Sequence, residues 1–292
     1  MLFNTPPADA EDESLRTAPK DWRRRRNTRR PSISSISPGS PSISARPGRA
    51  SSSTPRICRS IGGAALAEHE EKALELFHNV EEVKREAARF LKVKAVWQFF
   101  EAERDGNSIH LFAPAGVAPI HTFHFGRQRR EDGLCLSDYI LEGNGGRRDH
   151  LALMVVTAGA GIREKSEEFK QAGAFFKAHA IQALAIETAE ATAEWLHRRI
   201  REDWGFPDAP TVTMHDRFTS KYHGKRYSFG YPACPNLDDQ QGVWKLLQPE
   251  DIGVELTEGM MMEPEASVSA IVFHHLDCAY FTADEGESGA VA

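Results

Sequence analysis

The chain has 292 residues, 40% of them hydrophobic and 27% charged, which is the apolar content of one large or two small globular domains. Its net charge of −6 is uneven: residues 1–60 hold 11 Arg and one Lys against five acidic residues, so a basic head of +7 precedes an acidic body of −13. No run approaches the roughly 18 apolar residues of a bilayer span, and no apolar stretch follows the basic N-terminal residues, so neither a membrane span nor a secretory signal is expected. The four cysteines, Cys58, Cys135, Cys234 and Cys278, form no CxxC pair. That spacing speaks against a disulfide framework or a zinc site and for reduced, cytoplasmic thiols.

Residues 1–62 read as a disordered Arg/Ser/Pro-rich tail. Arg23–Arg26 form a charge run, and a Ser/Pro/Arg stretch follows it with too little apolar periodicity to offset the entropy of ordering. An Arg- and Ser-rich start resembles an organelle transit peptide, but Asp9, Glu11, Asp12, Glu13 and Asp21 count against that. One domain is expected over 63–292. Ala73, Phe77, Val80, Ala87 and Leu91 fall at helical spacing and predict a helix over about Ala67 to Phe90. Strands are predicted over Val93–Phe100, Ser108–Phe112, Ile120–Phe125 and His150–Thr157, with turns at Asp105-Gly106-Asn107 and Pro114–Pro119. One long helix is predicted over Glu164–Asp203. Its apolar stripe is Phe169, Phe176, Ala180, Leu184, Ala191 and Trp195, with Glu187, Glu190 and Glu194 off it, and Gly205 and Pro207 close it. A short helix over Gly242–Leu247 and strands over Gly253–Leu256 and Ser267–His274 complete the order. Helix, strands, long helix, strands implies an α+β fold: a single domain with a twisted, mostly antiparallel sheet and long flanking helices.

The most unusual segment is Arg226-Tyr-Ser-Phe-Gly-Tyr-Pro-Ala-Cys-Pro235. Gly230 permits close backbone approach, Pro232 and Pro235 stiffen the second half of the run, and Arg226 offers a fork for a carboxylate. On chemistry alone this is either a ligand loop or a rigid structural loop, the second being commoner. Elsewhere, His274-His275 with Asp277 and Cys278 matches no standard zinc spacing, and His121 and His124 lie on opposite faces of a strand. No metal site and no catalytic residue is assigned. Thr157-Ala-Gly-Ala-Gly161 lacks the full dinucleotide fingerprint. The body offers no basic face, so nucleic acid is not expected as a partner despite the basic head.

The Arg-x-x-x-Gly-Tyr-Pro-Ala-Cys-Pro run resembles the signature of the activation domain of cobalamin-dependent methionine synthases. Further segments are similar in the same order: Val96-Trp-Gln-Phe-Phe-Glu-Ala, Leu136-Ser-Asp-Tyr, Val156-Thr-Ala-Gly, Ala193-Glu-Trp-Leu-His197, Gly253-Val-Glu-Leu-Thr-Glu258 and Tyr280-Phe281. The resemblance covers about residues 70–285. It implies a domain that binds S-adenosylmethionine and supports reductive methylation of cob(II)alamin, which returns an oxidised methionine synthase to its active form. The cobalamin is held by a partner domain or chain, and the electron comes from flavodoxin or an equivalent reductase. On this chain the family's ligand contacts fall on Arg226 for the methionine carboxylate, on backbone at Ser228 and Gly230 for the adenosine, and on Tyr231, Tyr280 and Phe281 at the edge. Glu258 would attract the sulfonium or amine. Ser228 stands where the family usually has alanine, and Tyr227 and Phe229 stand where it has prolines. The family's upstream acidic ligand segment is not assigned to Asp21. With the cobalamin-ligating Asp-x-His-x-x-Gly and the zinc thiolates absent, the chain is expected to be part of a methyltransferase and an N-terminally truncated copy of the domain. The alternative is a non-catalytic interaction module that docks a cobalamin protein or flavodoxin.

Overall fold

The computed structural model describes residues 32–36, 63–143 and 147–283. In chain order the elements are β1 (Ser32–Ile36), α1 (Gly63–Ala87), β2 (Val93–Asp105), β3 (Ser108–Phe112), β4 (Pro119–His124), β5 (Asp149–Thr157), α2 (Ile162–Gln171), α3 (Phe175–Trp204), α4 (Met214–Phe218), β6 (Lys225–Tyr227), α5 (Gln240–Leu247), β7 (Glu255–Leu256), β8 (Met262–Glu263) and β9 (Ser267–Phe273). The main sheet runs β4-β3-β2-β5-β9-β6, with β1 beside the first half of β2, and every pairing is antiparallel. This is the expected α+β class.

β5 is the centre of the sheet and is buried along all nine residues. Its alternation serves two cores. Leu151, Leu153 and Val155 join Phe100, Ile271 and Phe273 on one face, against Leu136, Tyr139 and the α5 residues Val243, Trp244 and Leu247. Ala152, Met154 and Val156 join Ala270 and Val272 on the other, against Ala189, Ala193, Leu196, Ile200 and Trp204 of α3. Period-2 alternation with both faces apolar is what a strand between two layers requires.

Three expectations are corrected. The single helix over Glu164–Asp203 is two, α2 and α3, broken where Gly173 takes φ +74 and the Ala174 amide donates to Phe169 O at 2.8 Å. A left-handed residue ends a helix, and glycine adopts that conformation without a Cβ penalty. The buried stripe of α3 is Ala178, Ile181, Ala185, Ala189, Ala193, Leu196 and Ile200, whereas Phe176 is 42% and Trp195 47% exposed. Ala178, Ala185, Ala189 and Ala193 bring the helix close to its partners, so Phe176 and Trp195 point away, while Leu196, Ile200 and Trp204 pack where the last turns meet the sheet. Likewise α1 is exposed from Lys72 to Asn79, Phe77 included, and packing starts at Val80 and Val83. Four elements were not anticipated: β1, α4, β6 and β8. β1 falls within the low-complexity segment, whose other residues lie outside those described. β7 is two residues long and pairs with β8 apart from the main sheet.

Candidate functional site

The loop after β6 leaves the sheet edge at Tyr227 and reverses at Gly230, which takes φ +83. The Gly230 amide donates to Cys234 O at 2.9 Å and the Cys234 amide to Tyr231 O at 2.9 Å. The Cys234 thiol donates to Ser228 O at 3.0 Å. Burial pushes that thiol up to about 12, so it remains protonated and able to donate. Tyr227 and Phe229 point down into the core, while Ser228 and Tyr231 stay accessible.

A cavity of about 420 Å³ opens beside this loop. Its walls are Arg226, Ser228 and Tyr231 on the loop side, Tyr280, Phe281 and Thr282 on the C-terminal side, and Glu190 of α3. That volume lies in the range of small-ligand pockets. The C-terminal wall is an irregular strap. Ala283 N–H donates to Pro232 O at 2.7 Å and Gln128 Nε2 donates to Thr282 O at 2.9 Å, joining it to the loop and to the turn after β4.

At the base of the cavity Arg226 Nη1 donates to Glu194 Oε2 at 2.5 Å, and Tyr222 Oη donates to the same oxygen at 3.0 Å. Burial opposes the charge on Arg226, but Glu194 and Tyr222 outweigh it and hold its pKa above the usual arginine value. Burial and the adjacent Glu194 carboxylate push the Tyr222 phenol up to about 12, so it stays a donor. The Tyr222 ring is itself covered by the Arg201 guanidinium, 3.9 Å from its centroid. Among the described residues, the guanidinium hydrogen bonds of Arg226 run through Nη1, and Glu194 Oε1 is buried without a partner. The site therefore presents a cation backed by a buried carboxylate, together with aromatic rims and Glu190, at one place.

Five of the seven residues expected from the sequence, Arg226, Ser228, Tyr231, Tyr280 and Phe281, line this one cavity. Gly230 shapes the loop from behind, with its amide spent on the turn. Glu258 is not among the lining residues. It sits on the exposed tip between β7 and β8, where Thr257 N–H and Met261 O close a turn at 2.8 Å. Glu194 and Tyr222 escaped the sequence reading as site residues, although Glu187, Glu190 and Glu194 at helical spacing already marked an acidic face of α3. His274 Nε2 donates to Asp149 Oδ1, 2.9 Å away, inside the core, and no group of three or more potential metal ligands occurs among the described residues. None of the described helices is long and apolar enough to cross a membrane. A second cavity of about 340 Å³ lies beside the start of α2, between Gly161, Arg163 and Glu263, and holds none of the expected residues.

Comparison with known proteins agrees with this fold. The family described as vitamin B12 dependent methionine synthase, activation domain, matches residues 56–290. The methionine synthase of Mycobacterium tuberculosis is 36% identical over 198 residues, 64% of this chain and 17% of that protein. The methionine synthase of Mycobacterium leprae is 33% identical over 198 residues, 64% of this chain and 16% of that protein. The chain thus spans about a sixth of the length of these relatives. A crystal structure of the MetH reactivation domain bound to AdoHcy superposes with a TM-score of 0.71 at 26% identity, covering 95% of this chain and 90% of that one. With a matching family profile across nearly all of the described residues, the signature loop built into a cavity and the same fold in a solved relative, the chain belongs to the activation-domain family of vitamin B12 dependent methionine synthases.

Proposed function

We propose that the chain binds S-adenosylmethionine in the cavity beside the Arg226–Pro235 loop and serves the reductive reactivation of a methionine synthase whose cobalamin is held by a partner domain or chain. The observation that carries this is the pairing of Arg226 with Glu194 under aromatic rims. A ligand with a carboxylate, an ammonium, a sulfonium and an adenine needs a cationic fork, an acceptor carboxylate and flat apolar surfaces close together. Arg226 supplies the fork through the guanidinium edge not facing Glu194. Glu190, on the cavity wall, supplies the acceptor. Tyr231, Tyr280 and Phe281 supply the surfaces. When bound, S-adenosylmethionine supplies the methyl group. The residues of this chain bind it, orient it and hold its charged end away from water. Flavodoxin or an equivalent reductase is the electron donor this reading requires.

Calorimetry with S-adenosylmethionine tests it. Arg226→Ala removes the charged partner of a carboxylate and is expected to weaken binding by roughly 30- to several-thousand-fold, from about 2–5 kcal/mol. Arg163→Ala, at an exposed ion pair with Glu263 beside the other cavity, leaves binding unchanged. Equal binding by wild type and Arg226→Ala refutes the assignment. A wild type that does not bind moves the interaction-module reading ahead.

A further inference from the structure

We infer that Tyr227, with Tyr139, is a positioning residue that sets the strap carrying Tyr280 and Phe281, and so sets how tightly the cavity holds its ligand. The inference rests on the ligand reading above and adds a residue to it.

The strap comes after β9 and has no regular secondary structure over Ala279–Ala283. No ladder of backbone hydrogen bonds fixes it, so its place depends on individual contacts. Two phenols hold one residue of it. Tyr227 Oη donates to Ala279 O at 2.8 Å, Ala279 N–H donates to Tyr139 Oη at 3.1 Å, and Tyr139 Oη lies 3.4 Å from the same Ala279 O as a weaker donor. The two rings lie nearly parallel, 16° apart with centroids 6.1 Å apart, and each also packs on Phe273 of β9. The clamp is therefore anchored in the sheet. Tyr139 and Tyr227 are both buried, at 3% exposure, and burial raises both phenols, so they remain protonated.

The next residue after the clamped Ala279 is Tyr280. Its ring meets the Tyr227 ring edge-on, with centroids 5.4 Å apart, and Phe281 lies 6.5 Å from the same ring. Tyr227 thus touches the strap at three consecutive residues, and it is the floor on which both aromatic wall residues stand. It also lines the cavity directly. Tyr280 is 58% exposed, so little else confines it. A wall held in advance costs less entropy when a ligand packs on it.

The test uses the full chain, S-adenosylhomocysteine as probe, and the variants Tyr227→Phe, Tyr139→Phe and Tyr280→Ala. Removing one buried hydrogen bond is expected to weaken binding about three- to tenfold in Tyr227→Phe, and similarly in Tyr139→Phe. In the Tyr280→Ala background, Tyr227→Phe is expected to have a smaller further effect, because the Tyr280 ring, one of the two wall residues it supports, is gone while Phe281 remains. A loss that comes only from a weaker fold would appear equally in both backgrounds, and would overturn the inference. Hydrogen exchange without ligand gives an independent arm. Amides over 279–283 exchange faster in Tyr227→Phe while those of β5 and β9 are unchanged. Unchanged exchange across the strap also overturns the inference. If the wild type binds no probe, the ligand reading fails, and the exchange arm still decides whether Tyr227 holds the strap.

Discussion

Gly230 and Gly253 adopt nearly the same backbone conformation, φ +83 and +84, in very different surroundings. A Cβ on Gly253 meets nothing within 4 Å, whereas one on Gly230 falls 2.6 Å from Leu237 Cδ2. Both substitutions to alanine carry the strain of a left-handed backbone, of order 1–3 kcal/mol. Gly230→Ala adds the displacement of Leu237, beneath the loop that bears Ser228 and Tyr231. Urea unfolding is expected to show Gly230→Ala as the more destabilised of the two, and only Gly230→Ala to weaken ligand binding. Equal stabilities would show that Leu237 yields freely and that the loop tolerates it. At the same scale, Ser228 lines the cavity while its carbonyl is engaged by the Cys234 thiol.

α3 connects both functions of the chain, fold and site. Its inner face packs on the sheet, its Glu190 lines the cavity, its Glu194 pairs with Arg226 behind the wall, and its last turn carries Arg201. Arg201 is 1% exposed and donates through Nε and Nη2 to Asp208 at 2.7 and 2.9 Å, and Arg217 joins the same carboxylate at 3.2 Å. Asp208→Ala leaves a buried guanidinium without its counter-charge, which is expected to cost about 3–5 kcal/mol in urea unfolding. A loss below about 1 kcal/mol would mean that water or Tyr222 compensates. The existence of most helices and strands was legible in the sequence, because β3, β5, α5 and β9 have strong patterns bounded by turn residues. The break at Gly173 and the alanine face of α3 were not, since a small residue gives a weak periodic signal whichever way it points. At the site, the Arg226 loop was legible through its resemblance to a family signature; its chemistry alone favoured a rigid structural loop, the commoner use of Gly and Pro in such a run. Glu194, Tyr222 and Tyr139 were not, because they come from distant elements and nothing local ties them to the loop. Glu258 was overread, since Thr-Glu-Gly also describes the exposed turn it forms.

Over the whole molecule, buried ionisable groups make stability fall toward acid pH. His197 is fully buried among Arg201, Arg226 and Lys225; burial first, then those charges, hold its pKa well below the usual histidine value. His121 and His223 are lowered too, mainly by burial. Such a histidine takes up its proton on unfolding, so below the unfolded value of about 6.5 each pH unit favours unfolding by about 1.4 kcal/mol per group until the folded value is reached. Asp138 and Asp208 resist burial through Arg127 and Arg201, and their pKa values lie below the usual carboxylate range. Their contribution is present above the unfolded value of about 4 and is lost as pH falls through the folded one. Asp239, which burial pushes up to about 6, takes up its proton on folding as pH falls from about 6 to 4 and works the other way. Urea midpoints are therefore expected to be flat near pH 7–8, to fall below about pH 6.5 where the lowered histidines outnumber that one carboxyl, and to fall again below about pH 4. His197→Gln should flatten the first decline; an unchanged profile would remove His197 as its source. The topology has a further consequence, during synthesis. β5 is apolar on both faces, and one of its partners is β9, with Ala152 opposite Val272. Until the ribosome has released β9, the nascent chain carries its most apolar strand as an open edge, the kind of surface that pairs with other chains. The strand that completes the sheet is also the one that leads into the strap, so the chain gains its protection from aggregation and its cavity wall in the same late step.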